Sequence, residues 1–323
     1  MKTMNLVIAG LVGAAAISMS PVSQAAFPEK AINFIVPFGA GGSYDTLARK
    51  LAERWEKELK VPVVVKSQPG SGGRRGGISI YKSRPDGYTN GWTHFVPFLS
   101  DTYLRGKKAP IDNNKVEIIY QLSVGTNYLF VNKKSSIKSV TDLKALGRTI
   151  KFSGTGIGAI TWVQANAVAA TVDFPLAFVL GYKKLGDAAL AVAKGDAEVG
   201  IGSAAHFRAV KNDLRPIIFL GPKRDRFYPN VPSAGELGYH QLTNLGSPRV
   251  VTAPPGTPQA KIKVLRAAAI RAVNDKAFVK WATDYGFNMR PAGPKGTWKG
   301  LEGMKTVFKN LKPLVDKATR KSK

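Results

Sequence analysis

Two short stretches carry most of the chemistry this chain can offer. Gly39-Ala40-Gly41-Gly42-Ser43-Tyr44-Asp45 follows an apolar β-like run, Ala31–Val36, and leads into an amphipathic segment. Ser153-Gly154-Thr155-Gly156-Ile157-Gly158-Ala159-Ile160-Thr161 repeats the device after a second such run, Arg148–Phe152. A glycine-rich turn between strand and helix lets an anion approach the backbone. The helix N-terminus then supplies free N–H groups and roughly half a positive charge. Phe38, Gly39, Ala40, Gly41 and Ser43 are therefore candidate anion contacts, with Tyr44 beside the site and Asp45 placed to fix the helix start. Ser153, Gly154, Thr155, Gly156, Ala159 and Thr161 are their counterparts in the second loop. The first loop lacks the lysine of a Walker loop, which argues against a nucleotide. The second formally matches a dinucleotide fingerprint, with Asp173 about 20 residues on, but such a fingerprint normally opens its domain rather than sitting mid-chain.

Other reactive residues are sparse. Arg74 lies beside Arg75 in Gln68-Pro69-Gly70-Ser71-Gly72-Gly73-Arg74-Arg75, where it either grips a carboxylate bidentately or faces solvent. His94, at the end of a strand between Trp92 and Phe95, is either a rim histidine or a ligand contact. The three histidines, 94, 206 and 240, have no metal-ligand spacing. No serine sits in a Gly-x-Ser-x-Gly elbow, and no pair of acids stands out as a general acid and base. There are no cysteines, which excludes disulfides, thiol chemistry and Cys-based metal sites. No catalytic residue, metal or cofactor is expected.

The elements that would position these residues alternate. Leu47, Leu51, Trp55 and Leu59 recur every fourth residue along a helix predicted over Tyr44–Leu59. Strands are expected at Val61–Val65, Thr89–Phe95, Val116–Leu122, Tyr128–Asn132, Leu176–Leu180, Glu198–Ile201, Pro216–Leu220 and Val250–Ala253. Helices are expected to run to Val172 from the second loop, over Asp187–Lys194 and over Ser203–Asn212, and to start at Ser139–Asp142 and Ser233–Glu236. Thr257 is the expected cap of a further helix, with Pro258 in its first position. Repeated βα units imply an α/β fold of mostly parallel sheets flanked by helices. In such sheets ligands sit at the carboxyl ends of strands, beside helix N-termini.

The N-terminus reads as an export signal. Lys2 precedes an apolar core, Leu6–Ile17, and Ser23-Gln24-Ala25 is a small-x-small cleavage site, so a cut after Ala25 and a periplasmic product are expected. The core is too short to span a bilayer, which takes roughly 20 apolar residues. The remainder is long enough for two domains, and 44% hydrophobic residues can build their cores. The net charge of +27 is spread over the chain without the aromatic interleaving of single-strand nucleic-acid binders. Export also removes most nucleic-acid partners, so none is expected.

Six stretches in order resemble one family. Phe27–Arg49, Val61–Gly77, Arg84–Thr89, Ser139–Gly147, Val231–Tyr239 and Ala253–Pro258 are similar to the extracytoplasmic solute receptors of tripartite tricarboxylate transporters, the Bug or TctC-like receptors. The resemblance implies a two-domain, Venus-flytrap periplasmic-binding fold. Residues 26–125 and 242–323 would form one domain and 126–241 the other. It further implies a small organic carboxylate held between the domains, delivery to the permease subunits of a membrane transporter, and a monomer. Three positions depart from the family. Ser203 stands where many relatives carry Asp or Asn, and is the nearest substitute contact. Arg74-Arg75 replaces a common Asn, and Tyr44 replaces a usually small residue. A sensor that reports to a membrane kinase, or an exported hydrolase or dehydrogenase on the same scaffold, are the alternatives.

Overall fold

The computed structural model describes residues 27–243 and 245–321. The export signal and its cut after Ala25 lie outside them. The chain runs β1 (Ile32–Val36), α1 (Ser43–Leu59), β2 (Val63–Ser67), α2 (Arg74–Tyr81), β3 (Thr89–Thr93), α3 (Phe95–Tyr103) and β4 (Glu117–Gly125). It continues with β5 (Tyr128–Asn132), α4 (Asp142–Ala145), β6 (Ile150–Gly154), α5 (Ile160–Val172), β7 (Leu176–Leu180), α6 (Leu185–Lys194), β8 (Val199–Gly202), α7 (Ala204–Phe207) and β9 (Leu214–Phe219). It closes with β10 (Ser247–Ala253), α8 (Gln259–Asn274), α9 (Lys276–Tyr285), β11 (Met289–Ala292) and α10 (Pro294–Lys321).

Two sheets result, ordered β11-β4-β10-β3-β1-β2 and β7-β6-β8-β5-β9. They are mixed rather than mostly parallel. Parallel pairs join β1 to β2 and β3, and β6 to β7 and β8. The strands nearest the two crossings between sheets pair antiparallel: β10 against β3 and β4, and β5 against β8 and β9. The reason is connectivity. A helix crossover returns a strand parallel to its predecessor, whereas strands that arrive from the other sheet carry no such constraint.

Both sheets rest on apolar clusters, one of which spans the two halves. Leu47, Leu51, Trp55 and Leu59 of α1 are all buried on the face its periodicity marked out, and Trp55 meets Phe34 edge-on at 5.9 Å. Phe34 in turn meets Trp92 at 5.2 Å. Beneath the second sheet, Phe152, Val163 and Ile201 share a cluster with Phe308 and Leu311 of α10. α10 follows β11 of the first sheet yet packs against α5 of the second, so it ties the two halves together. Fully burying a large apolar side chain is worth about 1.5–3 kcal/mol, and these rows supply many.

Several expected boundaries move for local reasons. The strand at Thr89 stops at Thr93, and Phe95 opens α3 with Pro97 in its first turn, where a proline costs little. Ser233–Glu236 makes reciprocal capping bonds, from Ser233 N–H to Glu236 Oε2 (2.9 Å) and from Glu236 N–H to Ser233 Oγ (3.2 Å), but no helix follows. Gly238 there turns left-handed at φ 78° and ends the turn. Thr257 hydrogen-bonds Pro254 O at 2.8 Å, and α8 starts at Gln259, capped by Pro258. The helix expected over Ser203–Asn212 ends at Phe207 and continues only as a 3₁₀ turn.

Candidate functional site

The two glycine loops face each other between the sheets, but they are built differently. In the first, Gly42 N–H donates to Gly39 O (3.2 Å) and Gly41 N–H to Asp45 Oδ2 (2.9 Å). Gly39 N–H crosses to Lys183 O on the other side at 3.0 Å. Asp45, in the first turn of α1, is gripped in addition by Arg49 through Nε (2.9 Å) and Nη2 (3.1 Å). Those three loop amides are therefore bonded within the protein, and the helix terminus carries its own carboxylate.

The second loop has no such closure. Ala159 N–H turns back to Gly156 O at 3.2 Å, but the first turn of α5 has no acidic residue and no side-chain cap. Thr161 is only 3% exposed, and its Oγ1 has no hydrogen-bond partner. Gly156 lies directly on Gly72 of the first half: a methyl group placed there would sit 3.0 Å from Gly72 N. Glycine is what lets the two halves approach this closely.

Between the loops lies a small, partly open cavity of about 20 Å³. Phe38, Tyr44 and His94 line it from the first half, and Thr155, Ala159 and Thr161 from the second. All six were candidates on sequence. Ala40, Gly41, Ser43, Asp45, Ser153, Gly154 and Ser203 do not line the cavity, and Ala40 and Gly41 are exposed; Gly39 and Gly156 sit at the contact between the halves. Arg74 is a correction. Its Nε and Nη2 make a fork onto Asp101 (2.7 and 2.6 Å), and its Nη1 donates to Ser71 O (3.0 Å) and across the cleft to Ile157 O (2.9 Å). It clasps the second loop from outside, and it does not line the cavity. The partner that consumes it sits on α3, a helix the sequence pattern did not disclose.

The residues missed on sequence come from strand ends. Gly125, Asn127, Ser247 and Arg249 line the cavity where β4, β5 and β10 pass between the sheets, and Leu185 and His206 border it from α6 and α7. Arg249 is the decisive one. It is 2% exposed, and among the described residues no carboxylate pairs with it. Its guanidinium lies over Tyr44 (4.7 Å) and Phe287 (5.2 Å), donates from Nη2 to Ser43 Oγ at 3.3 Å, and leaves Nε without a partner. Burial pulls its pKa down, although the Tyr44 side chain opposes this. Removing a cation from water without a counter-ion costs several kcal/mol. The signal in the sequence was a lone arginine directly ahead of the apolar run Val250–Ala253.

Two histidines flank it. His94 Nδ1 is 3.2 Å from Tyr44 Oη and 3.5 Å from Ser247 Oγ. Burial, with the Arg249 and Arg74 guanidiniums, holds its pKa down to about 3, so the ring is neutral at physiological pH. His206 Nδ1 accepts from Ser203 N–H at 3.0 Å, and burial and Arg249 keep its pKa well below the ordinary histidine value. Ser203 thus orients a ring that reaches the site. Among the described residues no cluster of His, Asp and Glu could hold a metal, and no helix is long and apolar enough to cross a membrane.

Two mixed sheets with a small cavity between their strand ends, superposable on solved periplasmic-binding proteins, define a two-domain α/β protein of that class. Residues 47–296 match the model of the tripartite tricarboxylate transporter family receptors, and the chain belongs to that family of periplasmic solute receptors. It is 29% identical to protein BugT of Bordetella pertussis over 304 residues, 86% of this chain and 87% of BugT. A solved periplasmic transporter superposes with a TM-score of 0.82 at 26% identity, over 88% of this chain and 97% of that one. R. palustris Rpa4515 with adipate shares the fold at a TM-score of 0.81 and 18% identity, over 90% of this chain and 99% of that one.

Proposed function

We propose that this protein captures an organic carboxylate between its two halves in the periplasm and delivers it to the permease subunits of a tripartite tricarboxylate-type membrane transporter. In this reading 26–125 and 242–323 form one jaw, 126–241 form the other, and the receptor acts as a monomer released by cleavage after Ala25. The observation that carries the ligand class is Arg249: a buried guanidinium, without a carboxylate partner among the described residues, on the wall of the cavity. A carboxylate is the partner whose shape and charge complete it. Phe38, Tyr44, His94, Thr155, Ala159 and Thr161 would contact the ligand directly. Family membership supports the transport role, and adipate in a protein of the same fold is consistent with the ligand class.

The mechanism follows from the cross-cleft bonds. Gly39 N–H to Lys183 O (3.0 Å), Lys184 Nζ to Ala40 O (3.1 Å) and Arg74 Nη1 to Ile157 O (2.9 Å) all join the halves around the cavity. At about 20 Å³ the cavity has room for about one water, so the halves must part to admit a ligand. A ligand that neutralises Arg249 then stabilises a closed form around itself over an open one, and so shifts the population toward the form a permease would recognise. A thermal-shift screen of the mature protein against a carboxylate panel tests this. A ligand at about 100 times its dissociation constant should add about 2.7 kcal/mol. If neutral sugars or amines raise the melting temperature and no carboxylate does, the reading is wrong.

A further inference from the structure

We propose that the cavity selects a monocarboxylate with an apolar body, its carboxylate accepting hydrogen bonds from Arg249 Nη2 and His206 Nε2 together. The inference rests on the receptor reading above and narrows its ligand class. The first support is a tautomer argument. Ser203 N–H can only donate, so His206 Nδ1 at 3.0 Å must offer its lone pair, and the proton of the neutral ring sits on Nε2. Arg249 Nη2 lies 3.4 Å from that Nε2. Both atoms are donors, so they cannot bond each other. One hydrogen of Nη2 goes to Ser43 Oγ at 3.3 Å. Its second hydrogen and the Nε2–H, on buried atoms 3.4 Å apart at the cavity wall, can share one acceptor, and a carboxylate oxygen is one.

Charge counting supplies the second support. Arg249 is the one cation that lines the cavity among the described residues. Burial holds both neighbouring histidines neutral. The N-terminus of α1 is already matched by Asp45. The open N-terminus of α5 and Thr161 Oγ1 add only about half a charge and one hydroxyl. A monoanion is therefore matched in full by Arg249, whereas the second carboxylate of a dianion is matched only in part. Phe38, Ile160 and Leu185 give the cavity an apolar wall, with Tyr44 stacked under Arg249 at 4.7 Å and Thr155 and Thr161 as the hydroxyl-bearing residues of the second loop.

Matched pairs of ligands test this by calorimetry on the mature protein: butyrate against succinate, and hexanoate against adipate, with hexanamide as the neutral control. In at least one pair the monocarboxylate should bind more tightly than its dicarboxylate by about tenfold or more, and hexanamide should not bind. Arg249→Met should abolish carboxylate binding while the unliganded protein melts no lower than wild type, because an unpaired buried cation has been removed. Arg249→Lys should restore part of the affinity, and His206→Phe should weaken it by about fivefold or more. Dicarboxylates that bind as tightly as their partners would overturn the monoanion claim and leave the receptor reading standing. A folded Arg249→Met that binds the preferred ligand within about threefold of wild type would overturn the Arg249–His206 bridge. Silence from both pairs would overturn the inference, while the carboxylate reading stands or falls with the wider panel above.

Discussion

The two glycine loops look equivalent as sequence and are opposites as structure. Both leave a strand, turn through glycines and start a helix. Asp45 at the head of α1 draws in Gly41 N–H and pairs with Arg49, so the first loop is electrostatically finished before any ligand arrives. The second starts α5 with no acid and leaves Thr161 Oγ1 buried without a partner. What the first half offers the cavity is side chains: Phe38 and the network of Tyr44, His94 and Ser247. What the second half offers is an unmatched helix end and an unbonded hydroxyl. Glycine spacing alone does not distinguish the two loops. The nearest carboxylate decided which loop remained available.

The most damaging change would make the second loop resemble the first. Thr161→Asp places a carboxylate on the cavity wall that Arg249 also lines. It should serve as the internal counter-ion, raise or preserve the melting temperature of the unliganded protein, and weaken an anionic ligand by about a hundredfold, since juxtaposed like charges cost several kcal/mol. Unchanged affinity in calorimetry would mean that the second loop is not the open jaw.

A second test concerns the side-chain network of the first half. The His94 ring titrates near pH 6.5 in an unfolded chain and at about 3 in the folded one. Between those values the unfolded state binds the extra proton. The stability that neutral His94 contributes is therefore complete above about pH 6.5 and drains away as pH falls toward 3, by about 2 kcal/mol at pH 5. Urea midpoints at pH 7 and pH 5 should differ less in His94→Gln than in wild type. Equal differences would remove His94 from the account.

Much of this architecture was legible in residue spacing. The row from Leu47 to Leu59 marked the buried face of α1, and the alternation of strand and helix signals marked an α/β fold. The two loops were visible because glycines, hydroxyls and apolar runs are local patterns. Arg249, His206 and the Asp101 partner of Arg74 were not, because each acts through contacts between segments far apart in sequence. Arg74 and Arg249 illustrate the gap. Arg74 stood in a conspicuous glycine loop, and its charge is consumed by Asp101 at 2.6 Å. Arg249 stood in an ordinary strand, and it faces the cavity without a counter-ion among the described residues. Sequence shows where charges are, and only packing shows which of them are already matched.

Closure gives a smaller and cleaner comparison. Gly156 is not in a left-handed conformation, so Gly156→Ala brings no backbone strain of its own; its methyl meets only Gly72 N and its neighbours across the cleft. The variant should fold normally yet resist full closure, and weaken ligand by about tenfold. Undiminished affinity would show that this contact does not limit the closed form.

The least effect on binding, and the reverse pattern, belongs to Asp45→Ala. It removes the acceptor for Gly41 N–H and the partner of Arg49, so it should cost about 1 kcal/mol of stability, as the loss of a helix-end acceptor does. The carboxylate it removes faces the loop and not the cavity, so ligand affinity should change by less than about threefold once the variant is folded. Calorimetry below the melting transition separates the two quantities. Gly156→Ala losing affinity without stability, and Asp45→Ala losing stability without affinity, would together establish that the first loop is scaffold and the second is jaw. A marked gain in carboxylate affinity for Asp45→Ala would instead mean that Asp45 repels the ligand from across the cleft, and the loops would have to be reassigned.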